Sequence, residues 1–344
     1  MKQKMVMCLL AGVLVLGIGG CGTQEVEVPE VENVETAEEE PVPEETAEEE
    51  GDEQEKTDAE DQLKEVPTVD DAAELGKTEP EETEAASAPV VYEDGGQITL
   101  DPSWTYADHS KINSGAAVLY KAAENRKEIV VGVNAGHGTS GGIKVKTLCH
   151  PDGSAKVTGG TTAAGATEAV AVSSGMTFND GTPESSVTLR MAQILKEKLL
   201  SAGYDVLMLR DGDDVQLDNV ARTVICNNAA DCHIALHWDG DGLNYDKGCF
   251  YISVPDGLKS MEPVASYWSE HNALGSALVE GLRAQGAKIN GGGSMSIDLT
   301  QTSYSTVPSV DMELGNACSD HSDSALELLG DGLVQGVNSY FGQS

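Results

Sequence analysis

Two histidines and two glutamates stand where the chain could do chemistry. His137 lies between Gly136 and Gly138, directly after the apolar run IVVGVNA. His237 directly follows the run CHIAL, and Glu313 sits near the end of VDMEL. Glu184 comes right after Pro183, in the first turn of a predicted helix, where a carboxylate is favoured by the helix N-terminus. Two histidines with one carboxylate form a common catalytic zinc set that leaves a coordination position for water. The remaining glutamate is then a candidate general base. Taken singly, each residue has a plainer reading as a hydrogen-bonded or helix-favoured side chain; their joint position is what points to a site. Glycines on both sides of His137 let the backbone approach a ligand closely, and Asp239, close to His237, is a candidate outer partner for that histidine.

The elements around these residues alternate. Ile129 to Ala135 is a β-branched, nearly all-apolar run of the kind found in strands covered on both faces. Thr182-Pro183 supplies an N-cap and a first-position proline for a helix to about Ala202, with Val187, Met191, Ile194, Leu195 and Lys198 along one stripe and Gly203 as its stop. Strands are predicted over Tyr204 to Leu209, Cys232 to Leu236, Phe250 to Val254 and Val310 to Leu314. Helices are predicted over Ser114 to Asn125, Leu217 to Asn228, Ser269 to Gln285 and Ala325 to Tyr340. The order implies an α/β fold, a mainly parallel or mixed twisted sheet flanked by helices. Such sheets bind ligands at the carboxyl ends of their strands, where His137, His237 and Glu313 fall.

The chain of 344 residues carries a formal charge of -37, and most of that is local. Between Thr23 and Pro89 there are 27 Asp and Glu against three Lys, a balance of -24. No basic patch is available to neutralise phosphates, which excludes a nucleic-acid partner. One apolar run approaches spanning length, which excludes a polytopic membrane protein. That run belongs to residues 1–20, which read as a signal peptide: Lys2 and Lys4, an apolar core, then Gly19-Gly20-Cys21. The ending resembles a bacterial lipobox, which implies acylation of Cys21 and a lipid anchor; the alternative is a secretory signal with an incidental cysteine. Residues 21–89 follow as a Glu-rich segment without an aromatic residue, expected to be disordered and, as a flexible coil, to span roughly 45 Å. The remaining 90–344 suit one domain. Its five cysteines fit no zinc-ribbon or thioredoxin-type spacing and are assigned no chemistry.

The segments VNAGHG, PESSVTLRMAQILKEKLLSAGYDVLMLRD, DNVARTVICNNAADCHIALH and TVPSVDMELGN, in that order, resemble the zinc-dependent N-acetylmuramoyl-L-alanine amidases that cleave bacterial peptidoglycan. The likeness runs roughly from Ile129 to Tyr340. It implies zinc held by His137, Glu184 and His237, with Glu313, in Glu313-Leu314-Gly315, as the catalytic residue. Leu189, Arg222, Asn227 and Asn228 occupy further motif positions, and Arg210 falls where the family usually has a Thr-Arg pair. The bond cut would be the amide between the lactyl group of N-acetylmuramic acid and the L-alanine of the stem peptide. With the lipobox, the resemblance implies an extracytoplasmic enzyme, lipid-anchored to the membrane and facing the cell wall.

Two departures stand out. Gly138 to Pro183, 46 residues rich in Gly, Thr and Ala, is longer than the usual family connection and suits a lid, a substrate-shaping loop or a structural elaboration. His150 within it is a minor candidate for approach to the metal. His237 is followed by Trp238-Asp239, where the family commonly has a small residue and asparagine; Trp238 suits a rim position against a sugar face, which is favoured, or a place in the core. His109, His233, His271 and His321 have no motif support. The competing functions are a lipid-anchored solute- or wall-binding protein without catalysis and a zinc hydrolase of another amide. No feature names a protein activator.

Overall fold

The structure, a computed structural model, describes residues 92–343. The expected signal peptide, Cys21 and the whole acidic linker therefore lie outside the described residues. Ten strands and five α-helices follow in chain order: β1 (Gly96–Ile98), β2 (Ala117–Tyr120), β3 (Val130–Ala135), β4 (Lys146–Leu148), β5 (Glu168–Val170), α1 (Glu184–Ser201), β6 (Asp205–Met208), α2 (Asn219–Ala229), β7 (Cys232–Asp239), β8 (Cys249–Ser253), α3 (Val264–Ala284), β9 (Ile289–Ser296), α4 (Thr300–Tyr304), β10 (Ser309–Asn316) and α5 (Asp323–Tyr340). Eight strands form one sheet in the order β1-β2-β6-β3-β7-β10-β8-β9, and β4 pairs with β5 in a separate hairpin.

The centre of the sheet, β6-β3-β7-β10, is parallel. β2 joins β6 and β8 joins β10 antiparallel, so the sheet is mixed, as expected. Side chains alternate across it. Val206 and Met208 of β6, Ile234 and Leu236 of β7 and Val310 and Met312 of β10 enter the core under α1, α3 and α5. Leu207 of β6 faces Leu217, Ala221 and Ile225 on the other side, where α2 lies. The central strands are covered on both faces, which is why they read as continuous apolar runs. Two helix starts carry a side-chain cap. Asp218 caps α2 by accepting from the Ala221 N–H, and Ser322 caps α5 by accepting from that of Ala325.

Helices α3 and α5 meet backbone to backbone. A Cβ on Gly281 would run into the Gly332 carbonyl, and one on Gly336 would lie 2.5 Å from Leu278 Cα. Only glycine lets the two helices approach so closely.

Three expectations need correction. Ser114 to Asn125 is not a helix. Ala117–Tyr120 alternates buried and half-buried and pairs antiparallel with β6, so the period is two. Strand β9 was not anticipated, because its sequence INGGGSMS is too glycine-rich to read as a strand; it is held as an edge strand by its pairing with β8. Helix α1 is capped by Pro183 itself, whose extended backbone puts Glu184, not Pro183, at its first helical position. Among the described residues no helix is long and apolar enough to cross a membrane.

Gly281→Val is expected to separate α3 from α5 and destabilise the protein by about 1–3 kcal/mol or more, read as a lower urea midpoint.

Candidate metal centre

His137 lies two residues beyond the end of β3, with a left-handed backbone (φ 65°) that a non-glycine residue adopts only when its surroundings impose it. Arg222 of α2 imposes it. Fully buried, Arg222 donates Nη2–H to the His137 carbonyl at 2.7 Å and to Thr139 Oγ1 at 2.9 Å. Its Nη1–H groups reach Asn134 Oδ1 and the Ala135 carbonyl. Arg210, also buried, donates to the carbonyls of Ala135, Gly136 and Ser185 and to Thr188 Oγ1. Two guanidinium groups thus hold the β3 exit and tie it to the start of α1. Burial pushes Arg222 down to about 9 and Arg210 down to about 10. Neither approaches neutrality near pH 7, so both remain charge-assisted donors.

The strand exits bring three ligand-type atoms together. His137 Nε2 lies 2.9 Å from Glu184 Oε1, His237 Nδ1 lies 3.1 Å from His137 Nε2, and His237 Nδ1 lies 3.2 Å from Glu184 Oε1. Gly136 is required between them, since a Cβ there would run into the His237 imidazole. The protons around the cluster are accounted for. His137 Nδ1 donates to the Ser173 carbonyl at 2.9 Å, which in the neutral imidazole leaves Nε2 with its lone pair. Trp238 N–H donates to Glu184 Oε1 at 3.0 Å, and Met176 N–H donates to Oε2 at 2.8 Å.

Burial raises the Glu184 carboxyl, but hydrogen bonds from His137 and His237 outweigh it and hold the group well below the usual carboxylate range. Burial opposes charge on His237, yet the carboxylates of Asp311, Glu184 and Glu313 push it up to about 10. Without a metal, a protonated His237 balances the carboxylates around it. The residues fit a zinc ion. Ligand atoms on a tetrahedral ion with bonds of about 2.0–2.1 Å stand roughly 3.3–3.4 Å apart, and two imidazole nitrogens with one carboxylate oxygen are the donor types zinc takes. His137, Glu184 and His237 are the group of three among the described residues whose donor atoms are close enough to share an ion.

Glu313 pairs in register with His237 across β10 and β7. Its Oε2 is buried and has no hydrogen-bond partner. Burial, then the adjacent Asp311 carboxylate, push its carboxyl well above the usual range. Asp311 is a site residue that the sequence reading missed. It lies two residues earlier on the same strand and so on the same face, with Oδ2 3.9 Å from His237 Nε2 and Oδ1 unpartnered. The available signal was its spacing from Glu313, two charged residues at period two in an otherwise apolar strand.

Other expected residues stand elsewhere. Asp239 pairs with Lys247 and not with His237; the carboxylate facing that histidine is Asp311. Trp238 is not at a rim. Alternation along β7 turns it away from His237 into the core, 2% exposed, with its ring edge-on to Phe178. His150 does not approach the cluster; it is buried against Asp298 and Ser154. Asn227 bonds the backbone of Tyr304 and Thr306, and Asn228 the Val224 carbonyl, so neither reaches the site. His109 bonds Tyr304, His271 accepts from the Ser309 N–H, and His321 pairs with Asp180. His233 is buried without a partner. The five cysteines of the described residues are free thiols.

The N-acetylmuramoyl-L-alanine amidase family matches residues 131–328, a span that contains every member of this cluster. The chain belongs to the N-acetylmuramoyl-L-alanine amidase family. The enzyme is similar in fold to the solved N-acetylmuramyl-L-alanine amidase of Mycobacterium smegmatis, with a TM-score of 0.52 at 20% identity over 64% of this chain and 99% of that one. The apo form of the corresponding Mycobacterium abscessus amidase gives a TM-score of 0.50 at 21% identity, over 62% and 99%. No curated protein sequence matches the chain. As a peptidoglycan amidase it hydrolyses the amide between N-acetylmuramic acid and L-alanine.

Replacing Arg222 by Met would leave the carbonyls of Ala135 and His137 and the Asn134 amide oxygen short of donors in a buried place. The amidase is expected to lose about 3 kcal/mol or more of stability, measured by urea unfolding of the variant against the parent.

Proposed function

We propose that the enzyme is zinc-dependent, with His137, Glu184 and His237 as the metal ligands and Glu313 as the general base and acid. The observation that carries this reading is the approach of three ligand atoms to within 3.2 Å of one another. When bound, zinc would polarise the scissile carbonyl and supply a water with a pKa of about 7, a nucleophile at neutral pH without a serine or cysteine.

The chain's own residues do the rest. Glu313 takes a proton from the attacking water as its oxygen bonds to the lactyl carbonyl carbon. It then returns that proton to the L-alanine nitrogen as the carbon–nitrogen bond breaks, releasing a lactyl carboxylate and a free amine. The unpartnered Glu313 Oε2 supports this role, because no protein donor competes for the oxygen that would hold the proton. Arg222 and Arg210 keep the β3 exit from relaxing, and the extended backbone of Pro183 aims Glu184 across at both histidines.

The same proposal places the enzyme outside the cytoplasm. Residues 1–20 would be removed as a signal peptide, Cys21 would carry a lipid anchor, and the acidic segment 21–89 would let the catalytic domain 90–344 reach the cell wall. Lys2, Lys4, the apolar core and Gly19-Gly20-Cys21 support it. Radiolabelled palmitate should enter the wild-type protein in the producing bacterium and be absent from Cys21→Ser; equal labelling of both would remove the anchor from the account.

Metal analysis tests the ligand set. The purified protein is expected to hold one zinc per chain, Glu184→Ala and His237→Ala to hold almost none, and Glu313→Gln to keep its zinc while losing about 10²–10⁴-fold in kcat. A Glu313→Gln variant with near-parental kcat, or full zinc occupancy after removal of Glu184, would defeat the assignment.

A further inference from the structure

The long connection Gly138 to Pro183 is not an appendage beside the site. Its outer part holds the β4–β5 hairpin and is fixed to the domain body at a buried point. His150 Nε2 lies 2.9 Å from Asp298 Oδ1, His150 Nδ1 lies 2.8 Å from Ser154 Oγ, and Val157 N–H donates to Asp298 Oδ2 at 2.8 Å. The chain then returns through buried Ala171 and Val172, where Ala171 N–H donates to the Val145 carbonyl and the Ala171 carbonyl accepts from Asn219 N–H.

That return leg arrives against two of the three ligand-type residues. The Ser173 carbonyl accepts from His137 Nδ1 at 2.9 Å, with Ser173 Oγ at 3.1 Å from the same nitrogen. Met176 N–H donates to Glu184 Oε2 at 2.8 Å, and the Met176 carbonyl accepts from Glu184 N–H at 3.1 Å. Between them Gly175 has φ +81°. A Cβ there would lie 2.7 Å from both Glu184 Oε2 and His137 Cδ2. The space beside the two residues is filled by backbone, and glycine is what lets the backbone fill it.

We infer that Ser173–Met176 is a positioning clamp for the metal site, by which the insertion fixes the His137 tautomer and the orientation of the Glu184 carboxylate. The Ser173 carbonyl accepts a proton and never donates one, so it selects the Nδ1–H tautomer and keeps the His137 Nε2 lone pair aimed at the cluster. The Met176 N–H occupies Glu184 Oε2, so that Oε1 is the oxygen turned to both histidines. The inference rests on the proposed ligand set, and the clamp residues touch the ligands, not the substrate. Disturbing contacts that orient a metal's ligands typically costs about 10–100-fold in metal affinity.

Chelator competition on the intact protein tests this. Gly175→Ala is expected to weaken zinc binding by about 10–100-fold while the apo protein keeps its circular dichroism with a lower unfolding midpoint, and to lower kcat at saturating zinc with little change in KM. Ile143→Ser, an exposed position on the same insertion, is expected to leave zinc affinity unchanged. A second measurement does not depend on a variant folding: ¹⁵N NMR of the zinc-loaded wild-type protein should find His137 protonated at Nδ1 and shielded from exchange. A folded Gly175→Ala with wild-type zinc affinity, or a His137 protonated at Nε2, would overturn the clamp. Zinc bound at wild-type strength by His137→Ala and by His237→Ala would instead overturn the ligand assignment beneath it.

Discussion

The cluster of His137, Glu184 and His237 exists against its own electrostatics. Two imidazole nitrogens and a carboxylate oxygen face one another within 3.2 Å in a largely buried place. Burial penalises the carboxylate charge, which is held only because a positive charge, on an imidazolium or on a bound metal ion, lies beside it. The arrangement holds only because the surrounding chain leaves each side chain no alternative. Arg222 and Arg210 fix the β3 exit, a glycine removes the atom that would block His237, and backbone groups from two segments occupy the remaining polar valences of His137 and Glu184.

The sheet supplies the second constraint. Along β7 and β10 the period of two sends Leu236, Trp238, Met312 and Leu314 into the core under α1, α3 and α5, and turns His237, Asp311 and Glu313 to the opposite face. Because the two strands are parallel neighbours in register, Glu313 stands beside His237 with no loop needed to place it. Asp311 follows from the same parity. It makes the face beside His237 strongly acidic, with carboxylate oxygens on both Asp311 and Glu313 left without protein donors. Such oxygens suit a site whose missing donors arrive with substrate or water.

What the sequence could disclose was the part written in side-chain type and period. The apolar runs of β3, β7 and β10 marked the buried centre of the sheet, and the glycine-flanked His137, the strand-end His237 and Glu313, and Glu184 after Pro183 are the residues that the fold brings near one another. The parts it hid have physical reasons. The role of Ser173 and Met176 is played by a carbonyl and an N–H that every non-proline residue has, so no residue type announces it. Trp238 was misplaced because β7 runs on past His237 to Asp239, which carries the alternation one step further into the core. Asp239 was the nearer carboxylate in sequence, but Asp311 is the nearer one in space, from a strand more than seventy residues away. The four residues of β2 were too few to outweigh the helical look of their surroundings, and the glycines of β9 concealed a strand that exists through its pairing with β8.

The most direct test of the account is mass spectrometry of purified peptidoglycan after incubation with the zinc-loaded protein. The account predicts intact stem peptides beginning with a free L-alanine amine, together with glycan strands whose muramic acids end in a free lactyl carboxylate. Cleavage within the stem peptide or between sugars, or an unchanged wall in the presence of folded, zinc-saturated protein, would contradict it.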